Sequence, residues 1–188
     1  IPVSANIFEL FKQELNDINL VATWSQADIV EITTAEELAS VAYSLDGNYI
    51  LMENIDLSGI SWDVLGDAST PFTGTFNGNG YTISNLSLSS ITNYSGLFGA
   101  NSGTIKNLNI VDANVSAGAI GASILVGSNS GTIDNCSVSG IIEFNTQYTG
   151  GLCAYNIGTI SNSTSSATVS NSKYVGGLVG YTYGGTIK

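Results

Sequence analysis

Gly96-Leu97-Phe98-Gly99-Ala100-Asn101-Ser102-Gly103-Thr104-Ile105-Lys106-Asn107 contains both halves of a phrase that this chain repeats. The first half, Gly-Leu-apolar-Gly, returns in variant form as Ile124-Leu125-Val126-Gly127, Gly151-Leu152-Cys153-Ala154 and Gly177-Leu178-Val179-Gly180. The second, Thr-Ile-x-Asn, occurs from Thr82, Thr104, Thr132 and Thr159, and Thr186-Ile187-Lys188 begins a fifth copy. Successive Thr residues are 22, 28, 27 and 27 positions apart. Repeats with a period of about 20–50 residues are stacked units, each burying its apolar face against its neighbours.

Each copy supplies two or three short strands separated by polar turns, which amounts to one coil of a solenoid. The expected fold is all-β, a right-handed parallel β-helix (solenoid) with a short N-terminal helical cap, the hand following the rule for parallel crossovers. Ile83, Ile105, Ile133, Ile160 and Ile187 are expected to stack as one internal column, and Leu97, Leu125, Leu152 and Leu178 as another. Asn85, Asn107, Asn135 and Asn162 are expected at a corner, where side-chain amides can bond from rung to rung as Asn ladders do. Glycines recur where a corner needs positive φ or close backbone approach.

The division is into residues 1–48, a helical cap and lead-in, and residues 49–188, the β-helix repeats. Ile7, Leu10, Phe11, Leu15 and Ile18 recur at helical spacing between Ser4 and Leu20. Thr34 followed by Glu37 predicts a capping box for a second helix over Ala35–Leu45, stopped by Asp46-Gly47-Asn48. Strands are expected at Tyr49–Met52, Asn54–Leu57 and Phe72–Phe76, and a turn at Asn77-Gly78-Asn79-Gly80. The stack is expected to continue into further repeats beyond Lys188, because an open rung exposes unpaired backbone.

Composition narrows the chemistry. Twelve of the 15 acidic residues lie between Glu9 and Asp67, so the net charge of −11 belongs to the first third. There is no Arg, and the four Lys are scattered, which excludes a nucleic-acid binder and disfavours anionic membranes and acidic polysaccharides. The absence of His removes Ser-His-Asp and Cys-His catalysis and His-ligated zinc. No apolar run reaches about 18 residues, so no membrane insertion is expected. Cys136 and Cys153 fall in different columns and read as buried thiols.

These residues also carry a family resemblance. Gly96-Leu97-Phe98-Gly99 and Gly177-Leu178-Val179-Gly180, each followed by Gly-Thr-Ile, resemble the GLUG motif repeats of bacterial surface proteins, found outside the catalytic domain of immunoglobulin A peptidases and in adhesin-like proteins. The lead-in is similar too, through Ile32-Thr33-Thr34-Ala35-Glu36-Glu37-Leu38, Ile55-Asp56-Leu57-Ser58 and Phe72–Gly80. The resemblance implies an extracellular or cell-surface bacterial protein. Ile124 and Ala154 are mild departures from the motif.

Two sets of residues are candidates for chemistry. Glu53, Asn54, Asp56, Asp63 and Asp67 could offer oxygen ligands to calcium, although no EF-hand spacing is present. The same carboxylates could serve an acid–base pair of a glycosidase, a reading that needs two of them facing one cleft. Tyr94, Tyr148, Tyr155, Tyr174, Tyr181 and Tyr183 lie in or beside repeat corners, and Tyr148 and Tyr174 each stand four residues before the Leu of a Gly-Leu strand. Exposed tyrosines among Asn, Ser and Thr suit carbohydrate or protein contact, and corner packing with the hydroxyls reaching water is the simpler reading. The expectation is a non-catalytic surface module without a cofactor, an adhesin-like binding region or rigid stalk, with Tyr148 and Tyr174 as binding residues for a glycan or surface protein. The alternative is a fragment of a carbohydrate-active enzyme.

Overall fold

A computed structural model describes residues 28–89, 92–116, 118–170 and 172–188. The helix expected at Ser4–Leu20 lies outside them. Every strand pairing among the described residues is parallel and joins segments about one coil apart, which makes the chain an all-β parallel solenoid.

Four sheets form its walls. One has seven strands: Ile29–Ile32, Asn48–Leu51, Thr75–Asn77, Thr104–Lys106, Thr132–Asp134, Thr159–Ser161 and Thr186–Ile187. A second runs through Ile55–Asp56, Thr82–Ser84, Asn109–Val115, Ser137–Glu143 and Thr164–Ser165. The other two have four strands each, one built on Tyr94–Ser95, Gly121–Ala122, Tyr148–Gly150 and Tyr174–Gly176, the other on Phe98–Asn101, Val126–Asn129, Cys153–Asn156 and Val179–Thr182.

Alternation along each Thr-Ile-x segment sends Ile inward and its neighbours outward. The internal column is Tyr49, Phe76, Ile105, Ile133, Ile160 and Ile187. Ile83 does not belong to it: Ile83 pairs with Ile55 and Ile110 in the second sheet. The turn after Asn77 carries the chain off the seven-stranded sheet before Thr82–Ser84, so Phe76, which pairs with Ile105, fills the position instead. The second column is as expected, with Leu97, Leu125, Leu152 and Leu178 stacked beside the pairs Phe98–Val126–Cys153–Val179. In the first coils, Phe72 and Phe76 pack on Phe98 with centroids 5.0 and 5.4 Å apart. Each such side chain buried in full stabilises the fold by roughly 1.5–3 kcal/mol.

The corners divide the work between two residue types. Asn85, Asn107, Asn135 and Asn162 take the left-handed conformation, with φ of 59°, 54°, 51° and 51°, a role that short polar side chains fill at low steric cost. Asn135 donates to Asn107 Oδ1 at 2.9 Å, and Asn107 to Asn77 Oδ1 at 3.0 Å. The ladder stops there, because Asn162 donates to Asp134 Oδ1 and Asn85, in the second sheet, to Asp56 Oδ1. Gly103 and Gly131 instead serve close approach: a Cβ on either would run into the carbonyl oxygen of the glycine one coil earlier.

A second ladder runs inside the stack. Asn101 donates to Asn129 Oδ1 and Asn129 to Asn156 Oδ1, both at 2.8 Å, and all three side chains are buried. Each amide also reaches the carbonyl of the glycine two residues on.

Near the start of the described chain, α1 (Ala35–Ser40) is capped as expected: Thr34 Oγ1 accepts from the Glu37 N–H, and the Glu37 carboxylate accepts from Thr34 N–H. The helix is shorter than the predicted Ala35–Leu45, because the chain tightens into a 3₁₀ turn over Val41–Tyr43. Leu38 and Val41 are buried, while Ala42 faces solvent. Strand Ile29–Ile32, just before α1, pairs with Asn48–Leu51 and so joins the seven-stranded sheet.

A tyrosine face as candidate binding site

One wall of the solenoid gathers five of the tyrosines. Tyr94, Gly121, Tyr148 and Tyr174 align across one four-stranded sheet. Ala100, Ser128, Tyr155 and Tyr181 align across the adjoining one. Tyr148 stacks on Tyr174 at 5.6 Å and 23°, and Tyr155 on Tyr181 at 5.8 Å and 14°. Tilted contacts of 5.2 to 5.7 Å tie the two rows together through the Tyr148–Tyr181, Tyr148–Tyr155 and Tyr174–Tyr181 pairs. Tyr183 stands outside this set of contacts, 68% exposed.

The alignment has a gap where Gly121 and Ser128 carry no ring, and Tyr94 closes it. Its side chain leans over Gly121, where a Cβ would stand 2.7 Å from Tyr94 Cδ1, and its ring comes within 6.2 Å of Tyr155. Burial there raises the Tyr94 phenol above its ordinary pKa, and neighbouring Tyr148 and Tyr155 add to the shift. The phenol therefore stays neutral at physiological pH, available as donor and acceptor.

A short local pattern fixes how these side chains emerge. Thr92 Oγ1 donates to the Tyr94 carbonyl, and Thr146 Oγ1 to the Tyr148 carbonyl, each at 2.9 Å. The same hydroxyls bond Ser95 and Thr149, which point inward. Thr-x-Tyr at 92–94 and 146–148 is thus a repeat signal that spacing of the tyrosines alone did not reveal, while Ser172, in the same place before Tyr174, donates to the Phe144 carbonyl instead. Gln147 donates to the Tyr148 hydroxyl at 2.9 Å, and the Lys173 ammonium lies 5.1 Å from the Tyr174 ring centroid. Tyr148 and Tyr174, the two residues singled out from the sequence, are stacked neighbours at one end of the face, with Tyr174 40% exposed.

The acidic lead-in is dispersed. Asp56 accepts from Asn85 Nδ2 and from the Ser58 N–H and hydroxyl, and these bonds lower its pKa. Asp67 closes its own turn by accepting from Ser69 and Thr70, with the same effect. Asn54 Oδ1 accepts from the Thr82 N–H. Among the described residues, no three acidic or Cys side chains converge as a metal site. Cys136 and Cys153 are unpaired and buried; desolvation pushes their thiols up to about 11 and about 12.

No helix among the described residues is long and apolar enough to cross a membrane. No curated protein matches the chain. The family model for the GLUG motif matches residues 145–170, a stretch that includes Tyr148, Tyr155 and the coil between Thr146 and Thr159. A crystal structure from Bacteroides ovatus, named a "putative immunoglobulin A1 protease", superposes with a TM-score of 0.77 at 26% identity. The superposition covers 87% of this chain and 56% of that one, so this chain spans little more than half the length of its structural neighbour. Together these findings make the chain a parallel β-solenoid that carries a GLUG motif over residues 145–170.

Proposed function

We propose that this chain is a non-catalytic repeat module of a bacterial secreted or cell-surface protein, and that the tyrosine face is its recognition surface for an uncharged glycan. The observation that carries the reading is the joining of Tyr94, Tyr148, Tyr155, Tyr174 and Tyr181 into one half-exposed patch. Tyrosine supplies large amphipathic contact area with little side-chain entropy to lose. The net charge of −11 favours a neutral ligand over an acidic one. The protease name of the structural neighbour supports a setting at the cell surface or beyond.

A second reading is a rigid stalk without a ligand. The stacking of Tyr148 on Tyr174 and of Tyr155 on Tyr181 favours it, because rings that cover one another offer edges and hydroxyls rather than open faces. A glycan array of the purified chain, with calcium present and absent, separates the two. Reproducible binding that Tyr148→Ala or Tyr174→Ala abolishes, with unchanged thermal unfolding, supports recognition. Silence in both conditions leaves the stalk.

A further inference from the structure

Beside the solenoid's first coils, α1 and the 3₁₀ turn after it face the loop from Ile60 to Thr70 across a groove. Two cavities of about 460 and 410 Å³ make it up, and they share Ala42 and Val64. One stretch of its wall is apolar, through Ala35, Ala39, Ala42, Ile60 and Val64 with the buried ring of Trp62, and the far end is polar, through Asp67, Ser69, Thr70, Thr92 and Asn93. Tyr43 stands at its edge, 93% exposed. Exposed apolar side chains gathered in one groove mark an interaction surface. The buried indole N–H of Trp62 has no hydrogen-bond partner among the described residues.

Charge selects what fits. Between residues 28 and 67 the chain carries nine carboxylates and no Lys, Arg or His. Glu36, Asp63 and Asp67 line the groove itself, and no lysine does. Asp67 is engaged in its own turn through one carboxylate oxygen, leaving the other available. An apolar trough with acidic walls attracts cations with apolar side chains and repels a second copy of the same trough.

We propose that this groove docks a cationic peptide segment of a protein partner, its apolar side chains seated along Ala39, Ala42 and Val64 and its basic groups on Glu36 and Asp63. The site is separate from the tyrosine face, except that Tyr94 borders the groove's far end, and it stands or falls independently of the glycan reading.

The test is fluorescence anisotropy of a labelled peptide of alternating Lys and Leu, about twelve residues long, with the intact chain. Its Glu–Leu counterpart and oligolysine serve as comparison probes. The expected result is binding of the Lys–Leu peptide alone, weakened about tenfold by Glu36→Gln with Asp63→Asn, and also by Ala42→Arg, which fills the trough from an exposed position. Asp28→Asn with Glu53→Gln, which removes equal charge elsewhere, is expected to change affinity less than about twofold. Equal weakening by both charge pairs would overturn the proposal in favour of diffuse attraction, as would equal binding of oligolysine. A chain that sediments as a dimer until Ala42→Arg is introduced would overturn it in favour of a second copy. Circular dichroism melting of each variant keeps loss of fold apart from loss of binding.

Discussion

The Asn129 side chain accepts from Asn101 Nδ2 on one side and donates to Asn156 Oδ1 on the other, both at 2.8 Å and fully buried. Such a chain of amides satisfies polar groups that would otherwise be stranded in the core. Replacing Asn129 by Ala leaves the Asn156 carbonyl without its donor, and about 2–4 kcal/mol of stability is expected to be lost. Asn129→Asp should cost more, since a buried carboxylate cannot donate and resists desolvation. Urea unfolding of the two variants checks the order, and an Asp variant as stable as wild type would contradict the ladder's role.

Gly131 and Gly177 belong to different copies of the repeat and meet different surroundings. A Cβ at Gly131 runs into the carbonyl of Gly103, whereas one at Gly177 meets nothing within 4 Å. Gly131→Ala is therefore expected to destabilise the fold by several kcal/mol or prevent folding, and Gly177→Ala to change stability by less than about 0.5 kcal/mol. Comparable melting temperatures for the two variants would refute the close-approach argument.

Acid sensitivity follows from the carboxylates. Hydrogen bonds from Ser161 and Asn162 hold the Asp134 carboxyl below its usual range, with Lys106 adding to the effect, and Glu37, Asp56 and Asp67 are lowered by their own donors. A group whose folded pKa is depressed contributes stability above its unfolded pKa and loses it as pH falls through the folded value. With no His in the chain, the melting temperature should stay flat from about pH 8 to pH 5 and fall below about pH 4. Asp134→Asn should flatten part of that fall, which a melting series against pH reads directly.

Thiol reactivity is the last expectation. Both cysteines are buried with raised pKa values, Cys136 to about 11 and Cys153 to about 12. Thiolate is the reactive species, so the native chain should leave both unlabelled by a thiol reagent at pH 8 for as long as it stays folded. Rapid native labelling would show that the coils open locally.

Repeat spacing, the alternation within Thr-Ile-x and the Asn that follows were legible because they act locally. Strand direction alternates side chains, a short polar residue tolerates positive φ, and a Thr34–Glu37 capping box needs only four consecutive residues. Two expectations failed where position depended on the coil's path. Ile83 carries the right phrase but enters a different sheet, since the turn after Asn77 takes the chain off the seven-stranded sheet before Thr82. Asn162 leaves the Asn ladder because Asp134, one coil earlier, is a better acceptor for its amide.

The buried ladder of Asn101, Asn129 and Asn156 was visible only as polar turns, for nothing in one coil says whether an Asn side chain points in or out. The tyrosine face likewise needed the stack: Tyr94 and Tyr155 are 61 positions apart, and Gly121 and Gly127 leave the room in which Tyr94 sits. By itself the sequence determined that this chain coils, at what period, and which residues line the coil, because these depend on short-range geometry repeated in register. Tertiary structure decided which side chains from different coils meet, because that depends on how each coil is offset from the one before it.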